Sequence, residues 1–204
     1  ALYMPVFTIH HITKYQYDRP VKESVSQIKI YPISNEQQQA RQFELQITND
    51  PWVEVFTDYY GNKVGDFSLL QPHQNLVIES RLVVETFIKA NPQPTESSLP
   101  ADLLPSIANN FSLLRMQEPE RIEEQWVIHN ILTELDLQQQ SIANIAWRCS
   151  EFIYTNFSYV KGITTVDTTI DEILNHRSGV CQDFAHVLLQ MLRTLGIPAR
   201  YVSG

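Results

Sequence analysis

Ser178-Gly179-Val180-Cys181-Gln182-Asp183-Phe184-Ala185-His186-Val187-Leu188-Leu189-Gln190-Met191-Leu192, continued by Arg193-Thr194-Leu195-Gly196-Ile197-Pro198, holds the pattern that organises the chain. Phe184, Val187, Leu188, Met191, Leu192 and Leu195 recur at spacings of three and four, which predicts a helix with one buried face. Gly196 followed by Ile197-Pro198 is a strong stop, because glycine accepts the left-handed turn that ends a helix and proline cannot continue one. Ser178-Gly179-Val180 makes a tight lead-in, so Cys181 falls in the first turn. Unpaired backbone N–H groups and the positive end of the helix dipole favour a thiolate over a thiol at that position. Cys181 is therefore the candidate nucleophile. Ala199 to Ser203 then reads as the start of a strand.

Upstream of this helix the period stays helical. Ile142, Ile145, Cys149, Phe152, Ile153 and Asn156-Phe157 trace a second amphipathic helix, and Ile122, Trp126, Ile128 and Leu132 a third. Thr169 with Glu172 three residues later is a capping-box signature for a short helix reaching about Leu174. Further back, Lys89 to Pro105 carries Pro92, Pro94, Pro100 and Pro105 among Thr95, Ser97 and Ser98, the composition of an exposed connector. Before it the period changes to two. Phe43, Leu45 and Ile47 alternate with Glu44, Gln46 and Thr48; Gln27 to Tyr31, Phe67 to Leu69 and Leu76 to Phe87 also read as strands, and Gly61-Asn62 as a hairpin turn. The expected organisation is α+β: an antiparallel β-sandwich-like domain over 1–88, a linker over 89–105, and a helical, nucleophile-bearing part over 106–204.

The bulk properties narrow the function classes. A formal net charge of -8 with no basic run argues against nucleic acid, whose binding depends on clustered Lys and Arg that release counterions. No stretch approaches the roughly 20 apolar residues of a membrane-spanning helix, and no basic segment followed by an apolar run marks a signal peptide. Cys149 and Cys181 are too few for a disulfide framework, so both are read as thiols in a reducing, cytoplasmic setting.

Other candidate groups near Cys181 have weaker claims. His186 lies five residues along the helix, about 140° round from Cys181, and Asp183 about 200° round; His186 is read as a hydrogen-bonded core or interface side chain. His176 precedes Cys181 across a loop without an orienting partner in the sequence. His176, Cys181, Asp183 and His186 lack the ligand spacing of a metal site. Cys149, on an apolar face, is read as core. Tyr154, Phe157 and Tyr159 are candidates for a groove lining, with core as the default for aromatic residues near a helix end. His10 and His11, adjacent in a strand, point to opposite faces.

The string from Gly179 to His186, continued by Leu195 to Gly204, resembles the nucleophile region of the transglutaminase-like superfamily, in the bacterial branch provisionally named cysteine proteases. Thr168-Thr169 and Asn175 to Gly179 are similar to that branch too, as is His10 to Tyr17 followed by Asp18-Arg19-Pro20-Val21, which resembles the β-rich region preceding the catalytic core. The resemblance implies a papain-like arrangement, with a Cys at a helix N-terminus faced by a His and an Asp on strands of a following sheet. It implies thiol-dependent acyl transfer on peptide or isopeptide-like amides through a thioester at Cys181, with a peptide or protein as substrate and no metal or organic cofactor. Hydrolysis by water is the leading expectation. Crosslinking through lysine, or a non-catalytic binding and assembly module, are the alternatives. The His and Asp of the pattern lie downstream of the strand beginning near Ala199, so the chain is read as a truncated form with little or no turnover of its own. The oligomeric state stays open.

Overall fold

A computed structural model of the chain describes residues 4–87, 98–165 and 167–202. The chain divides into two compact units, Ala1–Asn91 and Pro92–Gly204. Among the described residues the first holds six strands: β1 (Val6–Val21), β2 (Ser24–Ile28), β3 (Gln38–Ile47), β4 (Val53–Thr57), β5 (Lys63–Leu69) and β6 (His73–Thr86). They form two three-stranded antiparallel sheets, ordered β1-β6-β3 and β2-β5-β4.

Strand alternation explains how the two sheets share one core. In β6 the residues Leu76, Ile78, Ser80 and Val84 are buried, and across the ladder Ile78 sits opposite Ile47 of β3. Ile28, Phe67 and Leu69 of the other sheet join Ile47, Leu76 and Ile78 in a single apolar cluster, so the sheets face each other as a sandwich. Each such side chain contributes about 1.5–3 kcal/mol by leaving water. The β4–β5 connection is a hairpin in which Gly61 takes φ +81 and its N–H donates to the Asp58 carbonyl. The Asp58 carboxylate accepts from the Tyr60 and Asn62 amides, an arrangement that favours a charged Asp58. Strand β2 ends at Ile28, so the predicted extension to Tyr31 is irregular. His10 and His11 do point apart: His10 reaches Glu79 at 2.7 Å, whereas His11 contacts Thr13 on its own strand.

The second unit is mainly helical: α1 (Leu104–Ala108), α2 (Phe111–Gln117), α3 (Gln125–Glu134), α4 (Ile142–Asn156), α5 (Ile170–His176) and α6 (Cys181–Thr194), with a two-residue parallel pairing of β7 (Ser158–Tyr159) and β8 (Ser178–Gly179). Most of the proline-rich connector, residues 89–97, lies outside the described residues; beyond it Pro100–Leu103 form a 3-10 turn that leads into α1. The core is built where the helical periods predict. Ile145, Cys149, Phe152 and Ile153 of α4 pack with Val187, Met191 and Leu192 of α6, Ile170, Ile173 and Leu174 of α5, and Ile128, Ile131 and Leu132 of α3.

Trp126 departs from the prediction and is 63% exposed. Helix α3 begins only at Gln125, so the spacing from Ile122 has no meaning there, and Trp126 stands about 160° round from the buried Ile128. Residues 199–202 are irregular rather than a strand. The Ala199 N–H donates to the Met116 carbonyl, and its own carbonyl accepts from the Arg193 guanidinium, which ties the segment to helices rather than to a sheet. Among the described residues no helix is long and apolar enough to cross a membrane.

Candidate active site

The site is built by the way the chain enters α6. Thr169 caps α5, its hydroxyl accepting from the Glu172 amide while the Glu172 carboxylate accepts from the Thr169 N–H at 2.8 Å. These bonds hold the Glu172 carboxyl below its usual value. Arg177, the C-cap of helix α5, takes the left-handed conformation with φ 47. The next residues form β8, where the Arg177 and Gly179 carbonyls accept from the Ser158 and Val160 amides at 2.8 and 2.9 Å. The chain is thus pinned to β7 immediately before the helix begins.

Val180 is the N-cap of α6, extended at φ -115, and Cys181 is the first helical residue. Its thiol is free and exposed. The stripe predicted behind it is buried: Val187 and Met191 are 0% exposed, and Phe184 packs edge-on against Phe157 and Tyr159. Buried Gln190 anchors the middle of the helix, exchanging hydrogen bonds with the Glu120 backbone at 2.9 and 2.8 Å. A rigid helix therefore holds an exposed sulfur at its N-terminal end, where the first-turn amides have no intrahelical acceptor.

Asp183 is only 5% exposed. Its Oδ2 accepts from the Val180 N–H and from the Thr164 hydroxyl, both at 2.7 Å. It occupies the third helical position, where a carboxylate satisfies an orphan amide and favours the dipole. Gly179 lies close beneath: a Cβ there would sit 2.6 Å from Asp183 Oδ2. The spacing of Asp183 from the N-cap was visible in the sequence as an acidic third position. Thr164 carried no sequence signal, since its partner is 19 residues away across a loop.

The remaining candidates separate. His186 is half-buried and stacks on Tyr201, ring centroids 5.4 Å apart and 14° from parallel. His176 is the last residue of α5 rather than a loop residue. It borders a cavity of about 220 Å³ whose walls include Thr164, Glu172, Ile173 and Ser178. Among the described residues, no three His, Cys, Asp or Glu side chains converge as a metal ion requires. Cys149 is 0% exposed, and burial pushes its thiol up to about 11. Phe157 is core, but Tyr154 and Tyr159 are 88% and 54% exposed. Tyr154 lies on the outer face of α4, away from the buried Ile153 stripe.

Comparison with known proteins agrees with this architecture. Residues 7–85 match the bacterial transglutaminase-like N-terminal region, and residues 130–204 match the transglutaminase-like superfamily. The chain belongs to the transglutaminase-like superfamily, with the N-terminal β region of its bacterial branch. Uncharacterized proteins of Mycobacterium tuberculosis and Mycobacterium leprae are each 30% identical to it, over 97% and 95% of this chain. The chain spans 65% of the length of the former and 68% of the latter. In fold it is similar to a crystal structure from Cytophaga hutchinsonii, provisionally named a cysteine protease, with a TM-score of 0.73, 19% identity, and coverage of 96% of this chain and 65% of that one. The likeness to the solved structure shows a shared fold.

Proposed function

We propose that Cys181 is the nucleophile of a cysteine peptidase or amidase acting on peptide or isopeptide-like amides of a peptide or protein substrate. The observation that carries the reading is the exposed, unbonded thiol at the first position of α6. The thiolate adds to the amide carbon, the C–N bond breaks as the leaving amine takes a proton, and a thioester remains on Cys181. Water then attacks the thioester and releases the acid; a lysine amine in its place would give a crosslink.

Activation calls for a base within hydrogen-bond reach of the sulfur. Among the described residues no histidine hydrogen-bonds Cys181, so the His and Asp that a papain-like arrangement would need are not among the partners of its sulfur. The 204-residue chain alone is then expected to turn over little or nothing. The experiment is to incubate the full-length protein with a glutamine-containing peptide library. Intact-protein mass spectrometry then looks for an acyl adduct, mapped to Cys181, and chromatography for released acid or for a conjugate with an added lysine analogue. Loss of both adduct and product in Cys181→Ala supports the proposal, and product formation that survives Cys181→Ala overturns it. A full-length protein that forms neither adduct nor product with any amide would favour the binding-module alternative.

A further inference from the structure

Val180 precedes Cys181 and Asp183 follows it by two residues, and one carboxylate oxygen of Asp183 ties Val180 to a distant loop. Asp183 Oδ2 accepts from the Val180 amide at 2.7 Å and from the Thr164 hydroxyl at 2.7 Å. A carboxylate buried to this degree costs heavily unless its charge is met by donors, and charge-assisted bonds of this length are strong and directional. Val180 is the N-cap residue immediately before Cys181, and the direction of its amide sets how the chain turns into α6. Thr164 supplies the second donor from the irregular segment after β7, whose own pairing with β8 holds the other side of the same turn. Gly179 completes the arrangement, because any larger residue would intrude on Asp183.

We infer that Thr164 and Asp183 are positioning residues for the Cys181 thiol: the Thr164 hydroxyl orients the Asp183 carboxylate, which fixes the Val180 amide and with it the first turn of α6. Neither residue touches the reacting atoms. Without the hydroxyl the carboxylate keeps one donor and can turn, the Val180 amide is held less firmly, and the sulfur samples a wider range of positions. A displacement of about 1 Å at a reacting atom costs up to roughly a hundredfold in rate.

The inference rests on Cys181 being the nucleophile, so its test carries a readout independent of turnover. Thr164→Val removes the hydroxyl while keeping the branched shape, and Thr164→Ser keeps the hydroxyl. In the 204-residue chain, exchange of the Val180 amide is expected to be about tenfold faster in Thr164→Val than in the wild type, with Thr164→Ser restoring it. In the full-length enzyme, kcat is expected to fall roughly ten- to hundredfold with KM little changed, again with rescue by serine. Wild-type Val180 exchange in folded Thr164→Val overturns the inference whatever the activity shows. Unchanged kcat in Thr164→Val, together with loss of activity in Cys181→Ala, overturns it while leaving the nucleophile in place; activity that persists in Cys181→Ala overturns both. Should Thr164→Val fail to fold, Asp183→Asn is the substitute: accelerated Val180 exchange with a selective fall in kcat supports the inference, and wild-type behaviour in both overturns it.

Discussion

Replacing Gly179 by alanine would bring a methyl carbon to 2.6 Å from Asp183 Oδ2, 2.8 Å from its Cβ and 3.1 Å from its Cγ. The carboxylate oxygen alone could swing aside, but the Asp183 Cβ cannot without moving the first turn of α6. Asp183 is 5% exposed and its Oδ2 holds two hydrogen bonds of 2.7 Å. Relief of the clash therefore breaks at least one of them. A hydrogen bond to a charged group contributes about 1.5–3 kcal/mol, and the carboxylate left short of donors adds to the loss. Gly179 does not take a positive φ, so alanine recovers about 0.4–1 kcal/mol of chain entropy. The net cost is expected to be about 2–3 kcal/mol. Pulsed thiol labelling of Cys149 across a urea series is the assay, because that thiol is fully buried in the second unit and becomes reactive only when its core opens. With a urea slope of about 1.5 kcal/mol per M, the midpoint falls by roughly 1.3–2 M. The same glycine change in an Asp183→Ala background is expected to cost less, because the carboxylate and its two hydrogen bonds are already gone and only the contact with the Cβ at 2.8 Å remains. A Gly179→Ala midpoint within about 0.3 M of wild type would refute the close approach and the role given to Asp183.

In the folded chain, iodoacetamide is expected to modify Cys181 and spare Cys149 at pH 8, since Cys149 is fully buried and its thiol stays protonated up to about 11; peptide mapping that finds equal labelling would contradict the placement of either thiol. The Glu172 carboxyl lies below its ordinary 4.5 in the folded state because it accepts from Thr169. Its contribution to stability is therefore complete above that value and lost as pH falls through the lower folded value. Glu172→Gln is expected to flatten that part of the pH–stability curve, and an unchanged curve by urea titration between pH 3 and 6 would count against the capping box.

Much of the second unit was legible because its signals are local. The stripe from Phe184 to Leu195 and the Thr169–Glu172 cap each depend on residues within a few positions of one another, and both appear as expected. The same locality explains the failures. Trp126 joins the stripe of Ile128 and Leu132 only if the helical count runs back to Ile122, across a boundary that lies at Gln125. Ala199 to Ser203 had the composition of a strand, but a strand needs a neighbour for its amides. The neighbours found for residue 199 are the Met116 carbonyl and the Arg193 side chain.

From residue types and spacing alone came the two kinds of architecture and the position of Cys181 at the head of a helix, because periodicity and capping are properties of neighbouring residues; the family came from the resemblance of the string around Cys181. Only the folded chain decided that the Cys181 sulfur reaches the surface while that of Cys149 does not, that His186 stacks on Tyr201, and that Thr164 closes on Asp183. Burial and long-range hydrogen bonds arise where separate segments meet, and no local pattern encodes which segments those will be.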